Sequence, residues 1–139
     1  MIEYNFELDF HLDDQTKFSE WISRIIVSEG FLLGDLSYIF CKDSYLLEIN
    51  RKYLEHDTYT DIITFDYTSG DLISGDIFIS IDRVRENALE YNIEFQEELL
   101  RVMSHGILHL MGYKDKKDGD ILVMRKKENE MIKLFHVEH

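Results

Sequence analysis

Apolar residues along this chain change period several times, and each change marks an element. Ile2, Tyr4, Phe6 and Leu8 alternate with polar neighbours, the period of a strand with one buried face. Phe18, Trp21, Ile22, Ile25 and Ile26 then recur at spacings of three and four, which predicts a helix with one apolar stripe. Asp13 or Asp14 is placed to cap its start and Gly30 to end it. Residues 36–41 read as a second strand, and Leu46, Ile49, Asn50, Tyr53 and Leu54 as a second helix opening near Asp43 and Ser44. Segments 61–67 and 76–81, rich in β-branched and aromatic residues, predict two more strands joined as a hairpin by turn chemistry over 68–75. Helical spacing returns over 82–92, 94–111 and about 120–135, with Gly112 at the end of the second of these. The order β, α, β, α, β, β, α, α, α predicts an α+β fold, a mixed sheet of about four strands packed with about five helices.

With 139 residues, 45% of them hydrophobic, there is material for one core, so residues 1–139 are read as a single domain. Proline is absent, and no repeat or Gly/Ser-rich linker interrupts the chain. No apolar run approaches the roughly 20 residues of a membrane span. The first five residues lack the basic start of a signal peptide, so a cytoplasmic location with no membrane partner is expected. Cys41 has no internal disulfide partner and sits in a strand-like run where a thiol fills space. A formal charge of −13 argues against non-specific polyanion binding. The charge is uneven, however: Lys114, Lys116, Lys117, Arg125, Lys126 and Lys127 crowd one segment, either as a basic rim or as the solvated side of a turn and a helix.

That basic segment adjoins the most informative stretch, residues 104–115. Residues four apart on a helix lie one turn above each other, so the imidazoles of His105 and His109 project from one face, close enough to share an ion. Gly112 permits a positive φ, and the turn it allows brings Asp115 back over the two rings. Three nitrogen or oxygen donors with an open fourth position describe a catalytic zinc site, in which water becomes nucleophilic near neutral pH. A structural site would normally carry four ligands, usually with cysteines. Zinc proteases share this spacing but place a glutamate directly after the first histidine, where this chain has Gly106. Glu97, Glu98, Asp118 and Asp120, the other nearby carboxylates, read as solvated or capping residues.

From His105 to Tyr113 the sequence resembles the signature of the YbeY family, His-Gly-x-Leu-His-Leu-x-Gly-Tyr-Asp-His. Thr60-Asp61-Ile62-Ile63-Thr64-Phe65 resembles that family's Thr-Asp-Val-Leu-Ser-Phe strand, and Gly75-Asp76-Ile77-Phe78-Ile79-Ser80 its Gly-Asp-Ile-x-Ile-Ser strand. Ile49-Asn50-Arg51-Lys52-Tyr53 resembles the helix before the first of these, so the likeness runs from about residue 36 to about 135. The resemblance implies a bacterial metal-dependent, single-strand-specific endoribonuclease acting in ribosomal RNA maturation and ribosome biogenesis. Its metal would lie at the end of the signature helix, in a cleft beside the sheet.

Two departures stand out. The family's Asp-His pair is Lys114-Asp115 here, so the third imidazole becomes a carboxylate, whose charge makes the ion a weaker Lewis acid; zinc remains the first choice, with nickel or another divalent ion as the alternative. An arginine often found after the aromatic residue equivalent to Tyr53 is Leu54 here. Arg51 or Lys114 is the candidate substitute, with Lys116 and Lys117 holding flanking phosphates; Arg51 as a solvated helix residue is the equal alternative. Thr60, Asp61, Asp76 and Tyr113 are candidates for lining the cleft or for hydrogen-bonding the ligands from behind, and otherwise are strand-edge or turn residues.

The expected substrate is therefore ribosomal RNA, met on the small ribosomal subunit with or without ribosome-associated proteins. Two other functions remain open at this point. One is a metal-dependent hydrolase of a peptide or small ester; the other is a non-catalytic ribosome-biogenesis factor whose metal locks the fold.

Overall fold

The computed structural model describes residues 1–56 and 58–137. Its elements run β1 (Ile2–Phe6), α1 (Gln15–Ser28), β2 (Leu32–Cys41), α2 (Asp43–Leu54), β3 (Ile62–Asp66), β4 (Leu72–Ser80), α3 (Ile81–Tyr91), α4 (Phe95–Leu110) and α5 (Asp118–Phe135). The four strands form one mixed sheet in the order β1-β2-β4-β3. β1 and β4 flank β2 in parallel, and β3 closes the edge as an antiparallel hairpin with β4. Element order and hairpin follow the periodicity of the sequence. At its start α1 is capped by the Asp14 carboxylate, which accepts from Lys17 N–H at 3.1 Å, and Gly30 follows its end at φ +83°.

One expectation is corrected by close packing. The predicted turn over 68–75 shrinks, because β4 begins at Leu72 and includes Gly75. A Cβ at Gly75 would stand 2.5 Å from the Phe65 carbonyl oxygen and 3.1 Å from Leu110 Cδ2, so this glycine lets α4 approach the sheet rather than turning the chain.

Strand alternation separates two layers. Leu36, Tyr38 and Phe40 of β2 and Ile73, Ile77 and Ile79 of β4 are fully buried in the main core with Trp21, Ile22, Ile25 and Ile26 of α1 and with α4. Cys41, Ile63, Phe65 and Phe78 face the other way, under Leu46 and Ile49 of α2. Burial lifts the Cys41 thiol to about 12, helped by the charges of Glu7, Asp43 and Asp82, which suits a packing role. Two buried donors tie the helices down: Tyr38 Oη donates to the Met103 carbonyl at 3.0 Å and Trp21 Nε1 to that of Met131 at 2.8 Å.

α4 is buried almost all round, through Leu99, Leu100, Val102, Met103, Gly106, Ile107, Leu108 and Leu110. Gly106 is pressed against the sheet, where a Cβ would lie 2.9 Å from Ile77 Cγ2 and 3.0 Å from Ile62 Cδ1. Gly106→Val is therefore expected to overpack this contact at a cost of about 1–3 kcal/mol. Thermal melting should show a fall of about 3–10 °C; a midpoint within about 1 °C of the parent would contradict the close approach.

Candidate metal centre

His105 and His109 share the one stripe of α4 that opens to a cavity, and the chain beyond them turns at Gly112, φ +98°. The turn delivers Asp115, whose Oδ2 lies 3.2 Å from His105 Nε2 and 3.3 Å from His109 Nε2. Among the described residues these three form the one group of histidine, cysteine or acid side chains able to hold an ion, with donor atoms all within 4.8 Å of one another. Donors on a tetrahedral ion with bonds of about 2.0–2.1 Å are about 3.3–3.4 Å apart, so the two carboxylate–imidazole spacings fit a zinc-sized ion.

The outer face of each ring supports the same reading. His105 Nδ1 meets Glu128 Oε2 at 2.6 Å, and His109 Nδ1 meets the Tyr113 carbonyl at 3.0 Å. Both contacts need a proton on Nδ1, which leaves both Nε2 lone pairs aimed at one carboxylate oxygen. Neutral rings and a carboxylate so placed are three acceptors that a shared proton or a cation must bridge, and as a ligand set two nitrogens and an oxygen suit zinc or nickel. Burial draws the His105 imidazole down, but the Glu128 hydrogen bond, with the charges of Glu128, Asp115 and Asp61, more than reverses this and holds its pKa above the usual value.

Glu128 lies outside every motif and spacing that marks the site in the sequence. It is buried on α5, accepts from Arg101 Nη1 at 3.1 Å, and lies 3.9 Å from Arg125 Nε. Its signal was present nonetheless: an acid at the helical spacing of Met124, Met131 and Phe135 interrupts an otherwise apolar stripe. The same holds for Glu98, expected to be solvated or capping but in fact buried on α4, where it lines the cavity. Asp118 and Asp120 do occupy the first turn of α5, where acids complement the helix dipole.

The other candidates separate. Thr60 and Asp61 line the cavity with the three donors, at the end of a loop that Asn50 Nδ2 holds through the Thr58 carbonyl at 2.7 Å. Burial raises the Asp61 pKa, the His105 charge opposing it. Tyr113 serves His109 through its backbone, while its hydroxyl donates to Glu29, which also accepts from Lys127 Nζ at 3.2 Å. Asp76 does not reach the site: it alternates with Gly75 and Ile77, which face α4, and so points from the opposite side of the sheet.

Neither Arg51 nor Leu54, both exposed on α2, borders the cavity, and Lys114, Lys116 and Lys117 are exposed on the loop that carries Asp115. The cations that do border it are Arg101 and Arg125. The six-residue basic cluster therefore splits: Arg125 faces the cavity, Lys127 braces the Tyr113 loop through Glu29, and the remaining lysines are exposed and do not line the cavity.

A mixed-sheet α+β fold with two helix imidazoles and a loop carboxylate converging in a cavity of about 420 Å³ defines a candidate mononuclear metal protein with an open site. Comparison with known proteins gives the family. The profile of "Endoribonuclease YbeY" matches residues 4–136, and the chain belongs to that family. It is 57% identical over 138 residues to the protein named endoribonuclease YbeY in Flavobacterium psychrophilum, covering 99% of each chain. With the protein of the same name in Flavobacterium johnsoniae it shares 56% identity over 138 residues, again 99% of each. The solution structure of TM1509 from Thermotoga maritima superposes with a TM-score of 0.67 at 28% identity, over 97% of this chain and 89% of that one.

Proposed function

We propose that this chain is an endoribonuclease that hydrolyses phosphodiester bonds of single-stranded RNA at a site where His105, His109 and Asp115 hold one divalent ion, zinc first and nickel next. The observation that carries this is the convergence of three donor atoms, each ring braced from behind, inside an open cavity of a protein whose relatives bear the endoribonuclease name. When bound, the ion supplies Lewis acidity for phosphodiester hydrolysis. The protein's own groups orient the substrate: Arg101, fixed by Glu128, and the more exposed Arg125 present guanidinium donors to phosphate oxygens. Rim lysines 114, 116 and 117 provide a local cationic approach on an acidic body. A recess rather than a groove favours a strand whose bases are free to splay, hence single-stranded substrate. We place the natural substrate in ribosomal RNA, met on the small ribosomal subunit in the cytoplasm; among the described residues no helix is long and apolar enough to cross a membrane.

A peptidase reading lacks its base, since a side chain at position 106 would point into Ile62 and Ile77 instead of toward the ion. The test is direct. Metal-loaded protein should cut a single-stranded RNA oligonucleotide and leave its duplex intact, chelation should stop the cutting, and metal analysis should find about one ion per chain. Equal cutting of the duplex, or undiminished cutting after chelation, would remove the reading. Arg125→Ala is expected to raise KM about tenfold with kcat little changed, because an exposed guanidinium holds phosphate equally in the ground and transition states. An unchanged KM would return Arg125 to the solvated surface.

A further inference from the structure

The chemistry above makes no use of Glu98. This residue lies two turns before His105 on α4, about 10 Å along the helix axis, and lines the same cavity. It is 3% exposed, and its Oε1 is, among the described residues, the one buried side-chain oxygen or nitrogen with no hydrogen-bond partner. Burial, then the negative charge of Asp61, raises its pKa, against Arg101 and an Asn87 hydrogen bond. An unmade hydrogen bond at a buried carboxyl costs stability, and an apolar residue between Phe95, Leu99 and Val102 would serve the stripe better. The Asn87 amide also stands 3.4 Å from Asp61 Oδ2, so two carboxyl groups are gathered at this end of the cavity. Val102, Ile121 and Met124 supply apolar walls, and Tyr91 an aromatic ring.

We propose that this end of the cavity is a nucleobase subsite, in which Glu98, with Asp61 beside it, accepts hydrogen bonds from the exocyclic amine of a base next to the scissile phosphate. The inference rests on the RNA-cleaving reading and names what that site selects. A phosphate held beside His105 and His109 leaves its nucleotide to extend along α4, and the separation of Glu98 matches a base edge better than a ribose hydroxyl. Carboxyl acceptors between apolar walls suit the amine of cytosine, adenine or guanine, whereas uracil would set its O4 against them. Cytosine against uracil is the clean comparison, since the two rings share size and stacking surface.

The experiment uses a single-stranded RNA pool of uniform length with randomised sequence, cut to low extent by the metal-loaded protein and by its Glu98→Gln and Glu98→Leu variants. The cut ends are then sequenced and the melting temperatures of all three proteins measured. Wild type should show uridine depleted about tenfold relative to cytidine at one position flanking the cut. Both variants should keep cutting with that depletion reduced below about twofold, and Glu98→Leu should melt at or above the parent, because an unpaired carboxyl has been removed. Cutting by wild type without depletion, depletion that survives in both variants, or folded variants that cut nothing would each overturn the subsite. Two variants melting well below the parent would show a structural carboxylate and overturn it as well. A wild-type protein that cuts no RNA at all would instead bring down the RNA-cleaving reading, and this inference with it.

Discussion

His109→Ala protein is expected to leave a desalting column with less than about a tenth of an equivalent of metal, and to cut RNA more slowly by more than about 10³-fold. The physical reason is the number of donors. With His109 gone, His105 Nε2 and Asp115 Oδ2 remain 3.2 Å apart as two donors that no longer enclose a cation on a third side. The fold should hardly notice, since His109 is partly exposed and its ring partner is a loop carbonyl. Metal analysis, cleavage and a thermal melt on one preparation separate these effects. Full metal occupancy and undiminished cutting in this variant would show that the three residues are only a hydrogen-bonded cluster.

Glu128→Gln should produce the second-largest effect, on two properties at once. The carboxylate orients His105 and raises its basicity, so its loss is expected to weaken metal binding about 10–100-fold, read by competition with a chromophoric chelator. It also neutralises the largely buried Arg101, and stranding that charge should cost about 3 kcal/mol, a fall in melting temperature of about 10 °C. The two properties separate in the double variant Arg101→Met/Glu128→Gln. Removing the stranded guanidinium should restore most of the stability while metal affinity stays low. A single Glu128→Gln variant that binds metal within about threefold of the parent would show that His105 needs no partner behind it.

Much of the candidate centre was legible because its parts are close in sequence. His105 and His109 are one helical turn apart, Gly112 ends the helix, and Asp115 follows three residues later, so helix geometry and one positive φ suffice to assemble them. Thr60 and Asp61 could be attached to that site through the family resemblance, but Asp76 could not be excluded from it without the sheet register. Its strand pairs with β3 on one side and β2 on the other, and only the packing of α4 over Gly75 and Ile77 decides that Asp76 points away.

The glycines show the same division. Gly112 and Gly30 act through their own backbone conformation, which a sequence discloses at helix ends. Gly75 and Gly106 act through what would strike a side chain there, and those neighbours, Leu110, Ile77 and Ile62, come from elements distant in the chain. For that reason Gly106, legible only as the missing glutamate of a protease, turns out to be the contact that lets the signature helix lie on the sheet.

Sequence alone therefore determined the element order, the hairpin, the α+β class and the three candidate metal donors, since each depends on periodicity or on spacing within a few residues. The tertiary structure decided which acids matter around those donors. Glu128 and Glu98 sit on apolar stripes, where the default for a carboxylate is the solvated side, and their burial follows from packing α5 and α4 together over the cavity. It likewise chose Arg101 and Arg125 over Arg51 and the rim lysines as the cations facing the cavity, because which charge meets a site depends on how helices far apart in sequence are rotated against each other.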